Sequence, residues 1–239
     1  MPLEFPSAST LDSITQVWRA YASLMKFALP SDNPSLGGQL VYVGELDALR
    51  RVFAMAANIA GATTLAGSVQ PATLRESQRE GVVDFLVNSL DEALRILKNE
   101  IRKRQPVSVA VSLAPASIEA EMLERGVLPD LLPPQSDTVP QPAAFAEFLL
   151  QGTQQIRTPP IQTAQQLLVW SAPAEYAQNL AAFESLLSEY LAPADHLNQR
   201  WLRLSPRYLA PAARRLRSIA CDEATAAKLI ARLGRPVNQ

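Results

Sequence analysis

The chain has 239 residues, of which 48% are apolar, so it can bury one large hydrophobic core or two smaller ones and does not belong to the disordered class. Its 22 basic and 23 acidic side chains give a net charge of −1, which provides no general attraction to nucleic acid or to an anionic membrane. The single cysteine, Cys221, excludes an intrachain disulfide and is typical of a reducing compartment.

The sequence does not predict a secretion signal or a membrane span. The first six residues lack the basic and apolar stretches of a signal peptide. The longest uncharged run, residues 52–69, has the length of a transmembrane helix, but glycines and polar side chains interrupt it. We therefore expect a buried helix, a turn and a strand in this run, and a soluble cytoplasmic protein.

The first part of the chain alternates between short apolar segments and amphipathic ones. Residues 11–29 have the apolar spacing of a helix, which Pro30 ends, and a loop follows over residues 31–38. The predicted strands are then 40–43, 63–66, 83–87, 107–111 and 127–132, and the predicted helices between them are 46–59, 72–80, 90–104 and 118–124. Apolar strands joined by crossover helices predict an α/β fold, a Rossmann-like parallel sheet flanked by helices.

The second part is less regular. Prolines between residues 129 and 142, and at 159 and 160, indicate a Pro-rich excursion, with a helix at 143–154 inside it. An additional α-rich C-terminal region follows, with a strand at 167–170, helices at 175–191 and 211–233, and an extended segment or helix end at 201–204. The predicted divisions are therefore an N-terminal helix and loop (1–36), an α/β core (37–135), the excursion (136–166) and a C-terminal region (167–239), which either completes the sheet or forms a separate unit.

The turn after the first predicted strand is the most informative feature. The strand ends at Gly44, where a dinucleotide-binding fold has several more glycines, so that the backbone can approach a pyrophosphate at the next helix. Here the chain continues ELDALRR over residues 45–51. Two carboxylates and several side chains with a Cβ should repel and block a phosphate, so we expect no bound NAD and no other cofactor.

Several segments resemble one family. In order along the chain they are AANIAGATTLA (56–66), LDEAL (90–94), PVSV (106–109), RGVLPD (125–130) and LLVWS (167–171), with His196-Leu197 and Trp201-Leu202 after them. They are similar to segments of urocanase (urocanate hydratase), the lyase of histidine breakdown that uses a tightly bound NAD as an electrophile. The resemblance implies a Rossmann-like domain in a shortened relative of that enzyme.

The departures from the family concern its cofactor and catalytic motifs. The family's glycine-rich turn falls on residues 45–51, its ribose-binding acidic residue on Ser68, its Gly-Asn pair on Leu113-Ala114, its Asp-Gln-Thr-Ser-Ala-His-Asp motif on 134–140, and an arginine on Gln166. Of the long motif only Gln135 is kept, and the family's catalytic cysteine has no counterpart. The resemblance therefore implies a degenerate member, a pseudoenzyme; if the chain is an enzyme, a urocanase-related lyase is the family-level reading.

Chemistry independent of the family is also sparse. His196 is the only histidine, so no histidine pair or zinc-type cluster is available, and we interpret it as a helix-end or packing residue. Cys221 falls in the predicted final helix beside Asp222, whose charge raises the pKa of a thiol, so we interpret it as structural. Glu119, Glu121 and Glu124 should be solvated on a surface helix. No catalytic or metal-binding residue is predicted.

Three functions stay open at this point. The first is a noncatalytic binding or assembly protein, whose partner is another protein or a second copy. The second is an enzyme or small-molecule sensor, with a remodelled pocket at the carboxyl edge of the sheet, where Gly44, Ser68, Asn88, Ser112 and Gln135 would meet.

The third is an interaction module that uses a basic C-terminal helix. Its patch would contain Arg214, Arg215 and Arg217, with Lys228 and Arg232 on the same predicted helix. Arginines at the rim of an amphipathic packing face give a simpler explanation of the same pattern, so we do not expect a nucleic-acid partner.

Overall fold

The computed structural model of the protein describes residues 7–134, 141–157 and 166–238. Contacts within the chain define two units, which we call the six-stranded unit (residues 17–158) and the two-stranded unit (residues 1–16 and 159–239). The division falls inside the first helix. The elements of the six-stranded unit and this helix are α1 (Ala8–Leu24), β1 (Leu40–Glu45), α2 (Ala48–Ala60), β2 (Thr63–Gly67), α3 (Pro71–Glu80), β3 (Phe85–Val87), α4 (Leu90–Lys103), β4 (Val107–Val111), α5 (Pro115–Glu124), β5 (Leu131–Leu132), α6 (Ala143–Leu150) and β6 (Gln154–Gln155).

The strands of this unit form one parallel sheet in the order β3-β4-β2-β1-β5-β6. In this order β2 lies on one side of β1, and β5 lies on the other. The topological switch point, where the strand order reverses, is therefore between β1 and β5. In open α/β sheets ligands bind outside the carboxyl ends of the strands at this point. The predicted Rossmann-like parallel sheet is confirmed.

The local sequence sets the helix ends. The Asp47 side chain caps α2 and that of Ser89 caps α4, while Gly61 and Gly81 follow α2 and α3 in the left-handed conformation that glycine adopts without strain. The uncharged run 52–69 is therefore helix, turn and strand, which confirms the prediction. Over the ranges that the structure describes, no helix is both long and apolar enough to cross a bilayer.

A buried cluster joins the sheet to α4, α5 and α6. Its fully buried members include Leu65, Leu90, Ala93, Val109, Ile118, Met122, Leu132 and Phe148. Gly67 packs closely against α5, since a Cβ there would overlap the end of the Ile118 side chain and lie 3.1 Å from the Leu113 carbonyl oxygen. A larger residue at the end of β2 would therefore force Ile118 to move.

The elements of the two-stranded unit are β7 (Gln166–Ser171), α7 (Leu180–Ser188), α8 (His196–Tyr208), β8 (Leu216–Cys221) and α9 (Glu223–Leu233). The strands β7 and β8 pair antiparallel, and their apolar side chains share a core with α7, α8 and α9. Each outer edge meets an asparagine carboxamide. Asn198 of α8 binds the Ala220 N–H and C=O (3.0 and 2.8 Å), and Asn238 binds the Val169 N–H and the Leu167 C=O (3.0 and 2.6 Å).

Several predicted elements in the later part of the chain are wrong. The final helix predicted at 211–233 is a short 3-10 helix, β8 and then α9, because residues 216–221 pair with β7 and Asp222 caps a new helix. The segment 201–204 lies inside α8. The helix predicted at 143–154 ends at Leu150, since Gly152 has a positive φ of 105° and leads into β6.

Two further boundaries also differ. Of the strand predicted at 127–132, only Leu131–Leu132 is a strand, β5. The helix predicted at 175–191 is a 3-10 turn followed by α7, which Asn179 caps.

Candidate functional site at the carboxyl edge of the sheet

Four of the five residues predicted for a ligand edge lie at the ends of neighbouring strands. Gly44 is the second-last residue of β1, and Ser68, Asn88 and Ser112 directly follow β2, β3 and β4. Backbone hydrogen bonds join these ends, since the Ser68 N–H donates to the Val111 carbonyl (3.2 Å) and the Ser112 N–H donates to the Val87 carbonyl (2.8 Å). Gln135 lies outside the described residues.

The polar groups at these strand ends mainly stabilise turns. Ser68 is fully buried, and its Oγ accepts the Gln70 N–H at 3.2 Å. Asn88 and Ser112 are exposed, and the Asn88 N–H donates to the carboxylate of Glu92 at 2.9 Å. The Ser68 hydroxyl and the backbone N–H groups of Ser68, Asn88 and Ser112 are therefore used in hydrogen bonds within the chain.

The turn between β1 and α2 presents negative charge. Glu45 and Asp47 are exposed, and the Asp47 carboxylate accepts the Arg50 N–H at 2.8 Å. A free helix N-terminus attracts anions through its unpaired N–H groups and its dipole. Here the chain's own carboxylate occupies that position, so a phosphate would have to displace it against the charge of Glu45.

Aromatic side chains fill the space beside Gly44. Phe145 of α6 is 2% exposed, and its Cζ lies 3.8 Å from the position that a Cβ on Gly44 would take. The Phe145 ring meets that of Tyr42 edge to face, with centroids 5.9 Å apart, and Phe148 approaches the same tyrosine at 6.3 Å. The sequence predicted a helix at these phenylalanines, but no local signal placed it over β1.

A buried hydrogen bond that the sequence did not predict joins Tyr42 of β1 to Glu119 of α5. Glu119 of α5 is 4% exposed, and its Oε1 accepts the Tyr42 hydroxyl at 3.0 Å. The prediction that Glu119 is solvated is therefore wrong. Its burial could have been predicted from its position three residues before Met122, which is buried on the same helix. Burial raises the pKa of Glu119, and the hydrogen bond from Tyr42 offsets part of this. Burial and the neighbouring Glu119 raise the pKa of Tyr42, so its hydroxyl remains the donor.

Replacing Glu119 with glutamine should change how stability depends on pH. The pKa of Glu119 is raised in the folded protein, so its contribution is full below the ordinary value of 4.5 and is lost as the pH rises through the raised value. Glutamine keeps an oxygen for Tyr42 and has no charge to bury. In urea unfolding between about pH 4 and pH 7, we expect the stability of Glu119→Gln relative to the parent to increase with pH.

The matched control for this experiment is Glu124→Gln, which changes an exposed carboxylate of the same helix. Its difference from the parent should stay nearly constant over the same pH range. A Glu119→Gln curve that runs parallel to the parent curve would show that the buried carboxyl group does not titrate differently in the folded state.

The remaining candidate groups lie in the two-stranded unit. Cys221 is the last residue of β8, not part of a helix as predicted; it is buried, and burial, followed by the charge of Asp222, raises its pKa to about 11. At neutral pH this thiol is protonated and a poor nucleophile. His196 is the first residue of α8. Among the residues with described positions, no group of three or more acidic, histidine or cysteine side chains could hold a metal ion.

The arginines of the predicted basic patch do not share a helix. Arg214 and Arg215 are exposed, but Arg217 is in β8 and only 3% exposed. Its guanidinium pairs with the Glu184 carboxylate at 2.6 Å and donates to the carbonyl oxygens of Arg214 and Leu216. The prediction of a basic stripe on one final helix is wrong, because Arg217 instead joins β8 to α7.

The parallel sheet, its crossover helices and its switch point beside β1 define a Rossmann-like domain. In the comparison with protein-family models, residues 19–141 match the urocanase family, in the part described as the Urocanase Rossmann-like domain. This match covers more than half of the chain and contains the ends of β1, β2, β3 and β4 described above, whereas Phe145 and Phe148 of α6 follow it. The protein therefore belongs to the urocanase family.

Proposed function

We propose that this member of the urocanase family holds no NAD at the carboxyl edge of its sheet and acts as a noncatalytic binding or assembly protein. The observation that carries the proposal is the packing of Phe145 against Gly44, at the switch point where a Rossmann-like sheet would receive a dinucleotide. NAD is implied by the family, and the residues present do not fit it.

The charges of the β1–α2 turn support this proposal. A pyrophosphate needs free N–H groups and a positive potential, whereas Glu45 and Asp47 bring two carboxylates to the turn. The charge of Arg50 offsets part of that of Asp47. The guanidinium of Arg51 pairs with Glu76 at 3.0 Å and also with Glu80, both in α3. The turn is therefore arranged to stabilise the start of α2.

The space beside Gly44 is the basis of the main observation. Glycine at position 44 would let a ligand approach the backbone closely, since it has no side chain. The Phe145 ring lies on the side of Gly44 where a side chain would project, with its Cζ 3.8 Å from the position of a Cβ, and its edge-to-face contact with Tyr42 makes it part of the core. The same filling counts against an enzyme or sensor with a remodelled pocket at this edge.

A binding role is supported by apolar side chains beside this edge. Leu49, in the first turn of α2, and Val69, the second residue after β2, are each 57% exposed. Exposed apolar side chains offer surface that a protein partner would bury, whereas a charged cofactor has no use for them. The buried, protonated Cys221 adds no nucleophile that would support catalysis.

Native mass spectrometry of the freshly purified protein, beside the same sample denatured, tests this proposal. We expect the mass of the polypeptide alone, and no rise in Tm when NAD or urocanate is added, because a ligand stabilises only a fold that binds it. An NAD-dependent dehydrogenase treated in the same way provides the positive control. A copurifying dinucleotide, or a Tm that rises and saturates with NAD, would contradict the proposal and would favour a urocanase-related lyase instead.

A further inference from the structure

A cavity of about 400 Å³ lies at the amino edge of the six-stranded sheet, opposite the turn discussed above. Gln39 precedes β1, Asp130 precedes β5 and Thr153 precedes β6, and all three line the cavity. Its volume falls in the range of small-molecule sites in proteins. It lies outside the edge where open α/β sheets bind their ligands, so neither the fold nor the proposed function assigns a role to it.

Strand pairing holds the floor of this cavity in place. The Asp130 N–H donates to the Leu40 carbonyl at 2.8 Å, and the Asp130 carboxylate accepts the Leu40 N–H at 2.7 Å. The Thr153 hydroxyl is buried and donates to the Pro129 carbonyl at 2.7 Å. A ligand would therefore meet a surface that is already formed and would not have to order it.

The cavity has one charged side chain, Asp130, among the residues that line it. One oxygen of this carboxylate accepts the Leu40 N–H, and none of the ion pairs found in the described ranges includes Asp130. Gln39 and Gln154 line the same space, and a glutamine carboxamide can accept further hydrogen bonds. The polar part of the cavity therefore suits a cation that donates hydrogen bonds.

The other part of the lining is apolar and open to solvent. Leu29 is 75% exposed and Leu128 is 36% exposed, and Phe27 lies beside them in the lining. Large apolar side chains that stay in water beside a few polar groups are typical of a ligand site, since the ligand would cover them. The combination suits a molecule with an apolar body and one charged end.

We propose that this amino-edge cavity binds a small organic ammonium compound. The ammonium group donates hydrogen bonds to the free oxygen of Asp130 and to the carboxamide oxygens of Gln39 and Gln154, while the apolar body covers Leu29 and Leu128. This site does not depend on the proposed function, because it lies at the amino edge of the sheet and the NAD question concerns the carboxyl edge. The two proposals are also tested with different probes, so one can fail without the other.

The test is a titration of the full chain, followed by the amide signals in ¹H–¹⁵N NMR spectra. Benzylamine, an ammonium ion at neutral pH, is compared with benzyl alcohol, which has the same ring and no charge. We expect saturable shifts in the amide signals of residues 128, 130, 131 and 151–154, with benzylamine bound about fivefold more tightly, the size expected for one exposed ion pair. Shifts elsewhere, no saturable shifts, or equal affinities for the two probes would overturn the proposal.

Two variants show whether Asp130 is the group responsible. Asp130→Asn removes the charge but keeps an oxygen for the Leu40 N–H, and it should abolish the preference for benzylamine. Asp84 gives a matched control, because it precedes β3, its carboxylate accepts the N–H of Ser108 in the neighbouring β4 at 2.8 Å, and it does not line the cavity. Asp84→Asn should keep the preference. If Asp130→Asn binds both probes like the parent, the proposal is wrong; if it does not fold, the comparison of the two probes on the parent chain still decides.

Discussion

Replacing Arg217 with methionine is expected to lower the free energy of unfolding of the two-stranded unit by about 3 kcal/mol, because it breaks a buried ion pair and leaves one partner uncompensated. Arg217 is 3% exposed, whereas the side chain of Glu184 is 25% exposed and can regain some water, which keeps the loss at the lower end of the range for such pairs. Two backbone carbonyls, of Arg214 and Leu216, would also lose their donor.

Urea unfolding followed by tryptophan fluorescence measures this effect, since Trp170 and Trp201 both lie in the core of that unit. The control is the double variant Glu184→Leu with Arg217→Met, which removes both charges and should recover most of the loss. If the single and double variants unfold at the same urea concentration, the ion pair contributes little, and the loss comes from packing around the arginine stem.

Replacing Phe145 with alanine should lower the free energy of unfolding of the six-stranded unit by about 3–5 kcal/mol, the usual cost of removing a buried phenylalanine. The ring is 2% exposed, contacts Tyr42 and lies beside Gly44, so its loss leaves a cavity next to the end of β1. Urea or thermal unfolding measures the change.

Leu150→Ala is the matched control for Phe145→Ala, because Leu150 is on the same helix and 82% exposed. We expect it to change the free energy of unfolding by no more than about 0.5 kcal/mol. If Phe145→Ala costs no more than Leu150→Ala, the ring does not fill the switch point, and the main argument against a bound dinucleotide fails.

The fold of the first part of the chain was predictable because its signals are local. Gly61 and Gly81 end helices by their own conformational freedom, and Ser89 starts one by capping it. The later part depends on distant partners. The composition of residues 216–221 does not exclude a helix. Their pairing with β7, some fifty positions earlier in the chain, makes them a strand.

The candidate site shows the same limit. Sequence places Gly44, Ser68, Asn88 and Ser112 at one edge, because parallel strands align their carboxyl ends. It also finds the carboxylates of the β1–α2 turn. It does not find Phe145 beside Gly44 or Tyr42 beside Glu119, because α6 and α5 reach β1 through packing between elements far apart in the chain.

The carboxamides of Asn198 and Asn238 affect whether another copy of this protein can pair with the two-stranded sheet. An open sheet edge presents a row of free N–H and C=O groups, on which another molecule can add a strand and begin aggregation. At the edge of β8 Asn198 takes the place of one residue of such a strand, and at the edge of β7 Asn238 does the same. A sheet of only two strands is marginal by itself. The same side chains that complete its hydrogen bonding therefore also make it a poor template for amyloid-like growth.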